Sequence, residues 1–207
     1  MIFNSLYMEN IRSFVKGKIE FHLGISLLEG DVGAGKSTIL MAIEFALFGL
    51  GNHKGDSLLR KKSDRGYVEF HFEVSGKKCK VERYLIKNGK NGSIRQGKCT
   101  LKINNAIFHL SPSEIKEKIL EILNFKEPLN PRAQSVIFRY AIYTPQEEMR
   151  YILSQNVESR LKTLRKAFGI EDYKVAVENA TIIAQNIKNK SRFLEGQTTD
   201  LNAKKDY

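Results

Sequence analysis

The chain has 207 residues, 42% of them hydrophobic, which suits one domain with a real core plus an appendage and excludes a globally disordered chain. Lys and Arg number 34 against 23 Asp and Glu, and the resulting formal net charge of +11 fits either polyanionic partners or a Lys-rich solubilising surface. The two cysteines, Cys79 and Cys99, have no Cys-x-x-Cys spacing, and the histidines His22, His53, His71 and His109 have no ligand spacing, so no protein-made metal cage is expected. Met1 leads directly into a strand-like segment and no apolar run reaches the roughly 18 residues of a membrane span, so a soluble, intracellular protein with reduced cysteines is expected.

In chain order, residues 2–9 alternate and predict a first strand, followed by strands at Lys18–Leu23 and Ile25–Glu29 split by Gly24. Ser37–Phe48 predicts a helix with Ile39, Ile43, Ala46 and Leu47 on one face and Gly49 at its C-cap, and residues 50–66 predict a loop. Tyr67–Val74 predicts a half-buried antiparallel strand, with Val68, Phe70, Phe72 and Val74 inward and Glu69, His71 and Glu73 outward. Lys78–Ile86 and Cys99–Ile103 are its expected meander partners, Lys87–Lys98 an expected hairpin tip, and Asn104-Asn105 a turn before Ile107 and Phe108.

Ser111-Pro112-Ser113-Glu114 carries a capping box and a helix-opening proline, predicting a helix to about Leu123. Pro128 and Pro131 impose an extended segment, and Val136–Tyr143 reads as a helical turn or a strand ending at Thr144-Pro145. Val157, Leu161, Leu164 and Phe168 mark one face of a short helix stopped by Gly169. Beyond it, Ile170, Val177, Ala184 and Ser191 interleave with Tyr173, Ala180, Ile187, Leu194 and Leu201 as an a/d seam. This reads as the start of a coiled-coil arm whose partner strand lies outside this sequence, or as an ordinary surface helix.

One motif carries chemistry. Gly30-Asp31-Val32-Gly33-Ala34-Gly35-Lys36-Ser37 fits G-x-x-x-x-G-K-[ST] at every fixed position. Gly30, Gly33 and Gly35 permit backbone conformations and close approach that a Cβ would block. Successive N–H groups around Val32, Gly33 and Ala34 then form an anion nest at a helix N-terminus. Lys36 is placed to neutralise β- and γ-phosphate oxygens, Ser37 to ligate Mg²⁺, and Thr38 to donate to an α-phosphate. The motif points to ATP with Mg²⁺ but not to the work done with it.

Several segments together resemble one family. These are Asn10-Ile11-Arg12-Ser13-Phe14 with Ile19-Glu20-Phe21 and Gly24-Ile25, then Gly30–Leu47 with Glu44 and Ala46-Leu47-Phe48-Gly49. They continue with Ala141-Ile142-Tyr143 before Gln146-Glu147-Glu148, and Phe168-Gly169-Ile170 opening a long helix. Their order resembles the N-terminal half of the head of a Rad-fifty-type DNA double-strand-break repair ATPase, of the SMC-like ABC ATPase superfamily, over nearly the whole chain. The resemblance implies an α/β P-loop ABC-type half-head with an antiparallel β subdomain at residues 1–169, and a coiled-coil helix at residues 170–207. It also implies that Gln146 is a Q-loop residue completing the Mg²⁺ shell, and that Arg12, with Ser13 a weaker candidate, contacts the nucleotide. Two departures stand out: Val32 replaces the family's usual Asn, and Pro145 stands where Arg is common.

The sequence shows no ABC-type signature run and no apolar run ending in Asp-Glu, so no catalytic residue is assigned to this half and ATP hydrolysis is expected to need the C-terminal half. The partners the resemblance implies are that half, a second head joined through ATP, an Mre-eleven-type nuclease and double-stranded DNA. It implies no membrane and a cytoplasmic, nucleoid-associated location, nuclear in a eukaryote. Lys61, Lys62, Arg65 and the cluster Lys87, Lys90, Arg95 and Lys98 are the DNA-contact candidates, as phosphate rather than base contacts. An SMC-type chromosome-organising ATPase and a non-catalytic nucleotide-binding tether remain alternatives. A transporter's nucleotide-binding subunit is disfavoured by the long spacing from Lys36 to Gln146 and by the heptads.

Overall fold

A computed structural model describes residues 1–51, 54–89, 92–125, 127, 135, 137–143, 154, 156–167 and 170–203, with the side chains at 140–141, 162–164, 166–167, 171–172 and 198–203 outside the description. Met1–Gln146 and Glu147–Tyr207 form two compact units.

The first unit is organised by an antiparallel sheet of seven strands. They are β1 (Ile2–Ile11), β2 (Phe14–Glu20), β3 (Arg65–Val74), β4 (Lys77–Lys87), β5 (Ile94–Gln96), β6 (Cys99–Ile103) and β7 (Ala106–Leu110). The order is β2-β1-β3-β4-β6-β7, with β5 paired to β4. Register follows the period-2 apolar pattern: Leu6 faces Phe70, Met8 faces Val68, and Phe70 faces Val81. These side chains are buried on one face of the sheet, so a slip of one residue would turn them all to water.

The other face is polar and aromatic. Tyr7, Tyr67 and Tyr84 form a row, with ring centroids 6.0 Å and 4.8 Å apart. Beside it, Glu69 accepts a hydrogen bond from Tyr67 Oη at 2.6 Å and lies 2.7 Å from His71 Nε2 and 3.0 Å from Lys80 Nζ. Burial works to raise the Glu69 pKa, but the bonds from Tyr67, His71 and Lys80 outweigh it and hold it down at about 2.

Two helices cover the apolar face: α1 (Lys36–Phe48) and α2 (Pro112–Leu123). In α1 Ile39, Ala42, Ile43, Phe45, Ala46, Leu47 and Phe48 are all buried, as expected of a helix apolar nearly all round. α2 buries Ile115, Ile119 and Leu120 on one stripe. Its start is the capping box expected from sequence: Ser111 Oγ accepts from the Glu114 N–H and Glu114 Oε2 from the Ser111 N–H at 2.7 Å.

The end of α1 is held by a side chain from the sheet. Arg83 occupies an inward position of β4 and is fully buried. Its Nε donates to the Ala46 carbonyl at 2.7 Å and its Nη2 to the Leu47 carbonyl at 3.0 Å. These are carbonyls of the last helical turn, which have no partner within the helix and favour a cation. Burial depresses the guanidinium pKa, and the neighbouring Cys99 works against that shift. Gly49, at φ 78°, closes the turn through its N–H to the Phe45 carbonyl.

Several local expectations are corrected. The strand expected at Lys18–Leu23 is β2 at Phe14–Glu20, paired through Tyr7↔Lys18 and Ile11↔Phe14. Ile25–Glu29 forms no strand among the described residues: Ile25 and Leu27 stand in solvent, because no described strand pairs with them. The Lys87–Lys98 tip contains β5, which adds to β4 through Leu85↔Gln96. The loop at residues 50–66 holds a 3₁₀ turn at Gly55–Ser57, and β3 starts inside it at Arg65. The helix-or-strand ambiguity at Val136–Tyr143 resolves into a π-helical turn at Phe138–Ile142. The segment around Pro128 and Pro131 lies outside the described residues.

The second unit contains α3 (Val157–Ala167) and α4 (Glu171–Ala203). The 33 residues of α4 give a rod of about 50 Å at 1.5 Å per residue. Of its a/d series, Tyr173, Val177, Ile187 and Leu194 are exposed.

Candidate nucleotide site

The phosphate loop leaves an uncovered helix start. Gly30, Gly33 and Gly35 have φ of 148°, 86° and 99°. At Gly35 a Cβ would lie 2.7 Å from both Phe14 Cε2 and Ser13 Oγ, so a side chain there would have to displace both, and the φ itself favours glycine. Gly35 is also the N-cap of α1, with no side-chain cap and no acidic residue in the first turn. The first N–H groups of α1 are therefore open to an anion, and the helix dipole adds to the attraction. Lys36 Nζ donates to the Gly30 carbonyl and, at 2.8 Å, to the Asp31 carbonyl, which folds the ammonium over the loop.

A cleft of about 770 Å³ opens beside this helix start. It brings together eight of the residues expected from sequence: Arg12, Ser13, Val32, Gly33, Gly35, Lys36, Ser37 and Thr38. Gly30 and Ala34 belong to the same loop but not to the cleft wall, and Gln146 lies outside the described residues. Thr38 lines the cleft although it is only 4% exposed, whereas Val32 is fully exposed.

The cleft is also lined by residues in and near the 3₁₀ turn, including Asp56, Ser57, Arg60 and Lys61. Lys61, one of the DNA-contact candidates, is thus also a lining residue of this cleft. Arg60 has a second task. Its Nη1 donates to the carbonyls of Arg12 at 3.0 Å and Ser13 at 2.9 Å, across 48 and 47 residues of sequence. Backbone bonds from Arg12 N to Leu58 O and from Arg60 N to Asn10 O, both 2.9 Å, complete the clasp. Arg12 itself sits at φ 47°, in the left-handed region, and its Nη1 reaches Met41 Sδ of α1 at 2.8 Å.

These residues fit a nucleoside triphosphate with a divalent cation. An uncapped helix start, a glycine loop of positive φ, an exposed Ser37 hydroxyl and the cations Arg12, Lys36, Arg60 and Lys61 suit phosphate and Mg²⁺. Arg60 was missed because its role depends on a long-range carbonyl contact. Arg83 carried a visible signal: it is a charged residue on the inward phase of an alternating strand.

A family model described as an AAA domain matches residues 5–206. The chain belongs to this AAA domain family. The relatives match the sequence resemblance to the N-terminal part of a Rad50-type, SMC-like ATPase. A "DNA double-strand break repair Rad50 ATPase" of Methanococcus maripaludis is 31% identical over 201 residues, covering 96% of this chain and 19% of that protein. Its namesake in Methanocaldococcus jannaschii is 30% identical over 198 residues, covering 95% of this chain and 18% of that protein. The chain thus spans about a fifth of the length of these curated relatives. Among solved structures, the SMC head domain from Thermotoga maritima is 25% identical with a TM-score of 0.41, covering 57% of this chain and 42% of that one. Family membership and the glycine loop between sheet and helix make this the α/β P-loop ATPase head fold with an antiparallel β subdomain. Among the described residues, no helix is long and apolar enough to cross a membrane.

Proposed function

We propose that the chain is the ATP-binding N-terminal half of an SMC-like ATPase head that works with a nuclease in DNA double-strand-break repair. The observation that carries the reading is the cleft in which the Gly30–Ser37 loop, the N-terminus of α1 and the Arg12–Ser13 turn converge. Backbone amides of the loop and Lys36 hold the β- and γ-phosphates, after the ammonium exchanges the Gly30 and Asp31 carbonyls for phosphate oxygens. Ser37 and Gln146 hold Mg²⁺, Arg12 and Ser13 contact the nucleotide, and Thr38 bonds the α-phosphate. Bound ATP with Mg²⁺ supplies the phosphoryl group; this half positions it, and the charges that complete in-line transfer come from elsewhere.

The head's other half is the first partner. Leu23, Ile25 and Leu27 are 83%, 103% and 84% exposed on a segment directly before the phosphate loop, an apolar stretch suited to strand pairing. In this reading residues 1–169 form the head lobe and residues 170–207 begin the coiled-coil arm, whose exposed seam is covered by a returning strand. Two heads sandwich ATP, hydrolysis reopens them, and an Mre-eleven-type nuclease and double-stranded DNA are the further partners, in the cytoplasm near the nucleoid or in a nucleus. The relatives' names support repair over chromosome organisation. The test is to mix this chain with its C-terminal half and follow mass by light scattering. Dimers with a nonhydrolysable ATP analogue, absent for Lys36→Ala, are expected; monomers with saturating analogue would sink the clamp reading.

A further inference from the structure

The reversal between β1 and β2 carries a residue that turn chemistry would not choose. Ile11 pairs with Phe14, so Arg12 and Ser13 alone make the turn. Two-residue reversals need a positive φ, a place normally taken by Gly or Asn. Here Arg12 takes it, at φ 47°. A residue with a long side chain disfavours that conformation, which persists only where the surroundings impose it. The surroundings are residues 58–60. The Arg12 N–H bonds to the Leu58 carbonyl, Ile11 bridges to Leu59, and the Arg60 N–H bonds to the Asn10 carbonyl. Arg60 Nη1 then takes the carbonyls of both turn residues, at 3.0 Å and 2.9 Å.

Of the two partners, residues 58–60 are the fixed one. Leu58 and Leu59 are buried. Gly66 of β3 lies so close that a Cβ there would come within 2.9 Å of Leu59 Cδ1. At the start of the stretch, a Cβ on Gly55 would lie 2.5 Å from Ile94 Cγ2 of β5. The sheet, and no part of the phosphate loop, makes these contacts, so it is the sheet that sets the place of Arg60. The Arg12 side chain is held more lightly. Its guanidinium ends on Met41 Sδ, and a thioether is a weak acceptor that a phosphate oxygen would displace. Met41 stands one helical turn after Ser37, so the guanidinium waits close to the phosphate end of α1.

We propose that Arg60 is a positioning residue of the nucleotide site: it holds the Arg12–Ser13 turn in its left-handed form, so that the Arg12 guanidinium stands beside α1 before the phosphates arrive. The inference rests on the nucleotide reading of Arg12 given above. A side chain set in advance spares the ligand the cost of ordering it.

The experiment is a double-mutant cycle on this chain, read as ATP affinity with Mg²⁺ by calorimetry. Arg12→Ala and Arg60→Gln are each expected to weaken binding about tenfold, and the two together no more than Arg12→Ala alone, since Arg60 acts only through Arg12. Arg60→Lys keeps the charge on a shorter side chain and is expected to lose part of the affinity. Circular dichroism confirms that each variant folds; where Arg60→Gln does not, Arg60→Lys takes its place in the cycle. A double variant weakened by the product of the two losses, about a hundredfold, would show that Arg60 acts on the ligand or the cleft at large, and the inference fails alone. It also fails alone if the Arg60 variants, Arg60→Lys included, bind as tightly as the parent or only melt earlier while Arg12→Ala weakens ATP. If Arg12→Ala leaves affinity untouched, the nucleotide reading of Arg12 fails and the inference with it. If the unaltered chain binds no ATP, both fall.

Discussion

Replacing Arg83 with methionine tests whether α1 is anchored through its C-terminal carbonyls. Methionine keeps most of the volume and removes the charge and all of the donors. Two effects then oppose each other. The guanidinium no longer has to be buried, which favours the variant. The Ala46 and Leu47 carbonyls lose donors at 2.7 Å and 3.0 Å in the interior, at about 1–3 kcal/mol each. The second effect wins, because these carbonyls face an apolar core and the helix dipole places negative charge there. The expected net loss is about 3 kcal/mol, or a fall in Tm of roughly 6–12 °C for a unit of this size. Arg83→Lys supplies one donor direction instead of a fork and is expected to lose about half as much. Urea and thermal unfolding followed by circular dichroism measure both. A methionine variant within ~1 kcal/mol of the parent would refute the anchoring argument.

Gly35→Ala is expected to abolish measurable nucleotide binding while the chain still folds, since the new Cβ meets Phe14 and Ser13 at 2.7 Å; fluorescent-nucleotide titration checks it, and retained affinity would remove the steric argument. Lys36→Ala is expected to weaken ATP binding at least about a hundredfold, read by calorimetry on a sample shown to be folded. Glu69 has a folded-state pKa near 2, below its ordinary 4.5, so its contribution to stability is complete above pH 4.5 and is lost as pH falls toward 2. Glu69→Gln should flatten the stability profile across that window in urea melts, and an unchanged acid limb would count against the Tyr67–His71–Lys80 arrangement. Ser111→Ala should cost about 1 kcal/mol through loss of the α2 cap, visible in the same melts.

What sequence revealed depended on how local the determinants are. The phosphate loop was legible because glycine spacing and backbone φ are coupled within a few residues, and α2 because Ser111 and Glu114 are three positions apart. β3 and β4 were legible through strict alternation of apolar side chains. Ile25–Glu29 was read as a strand from its apolar content, but a strand also needs a neighbour, which no local pattern can supply. β5 was hidden inside a polar hairpin because its pairing with Leu85–Lys87 follows from the β4 edge rather than from its own composition. Arg60 with Ser13, and the ion pair of Glu44 with Arg139, join residues 47 to 95 positions apart, beyond the reach of any spacing rule.

The clasp made by Arg60 also bears on the order of assembly. One guanidinium draws the β1–β2 turn onto a stretch 48 residues away, so the cleft wall that carries Arg12 and Ser13 cannot take shape until that long loop has closed. A ligand that recognises the finished cleft and not the open chain would therefore act as a late fastener: at a hundredfold excess over its Kd it contributes about 2.7 kcal/mol to holding the loop shut. Cellular nucleotide would then help complete the very pocket that receives it, and a cell short of nucleotide would hold more of this protein with its latch undone.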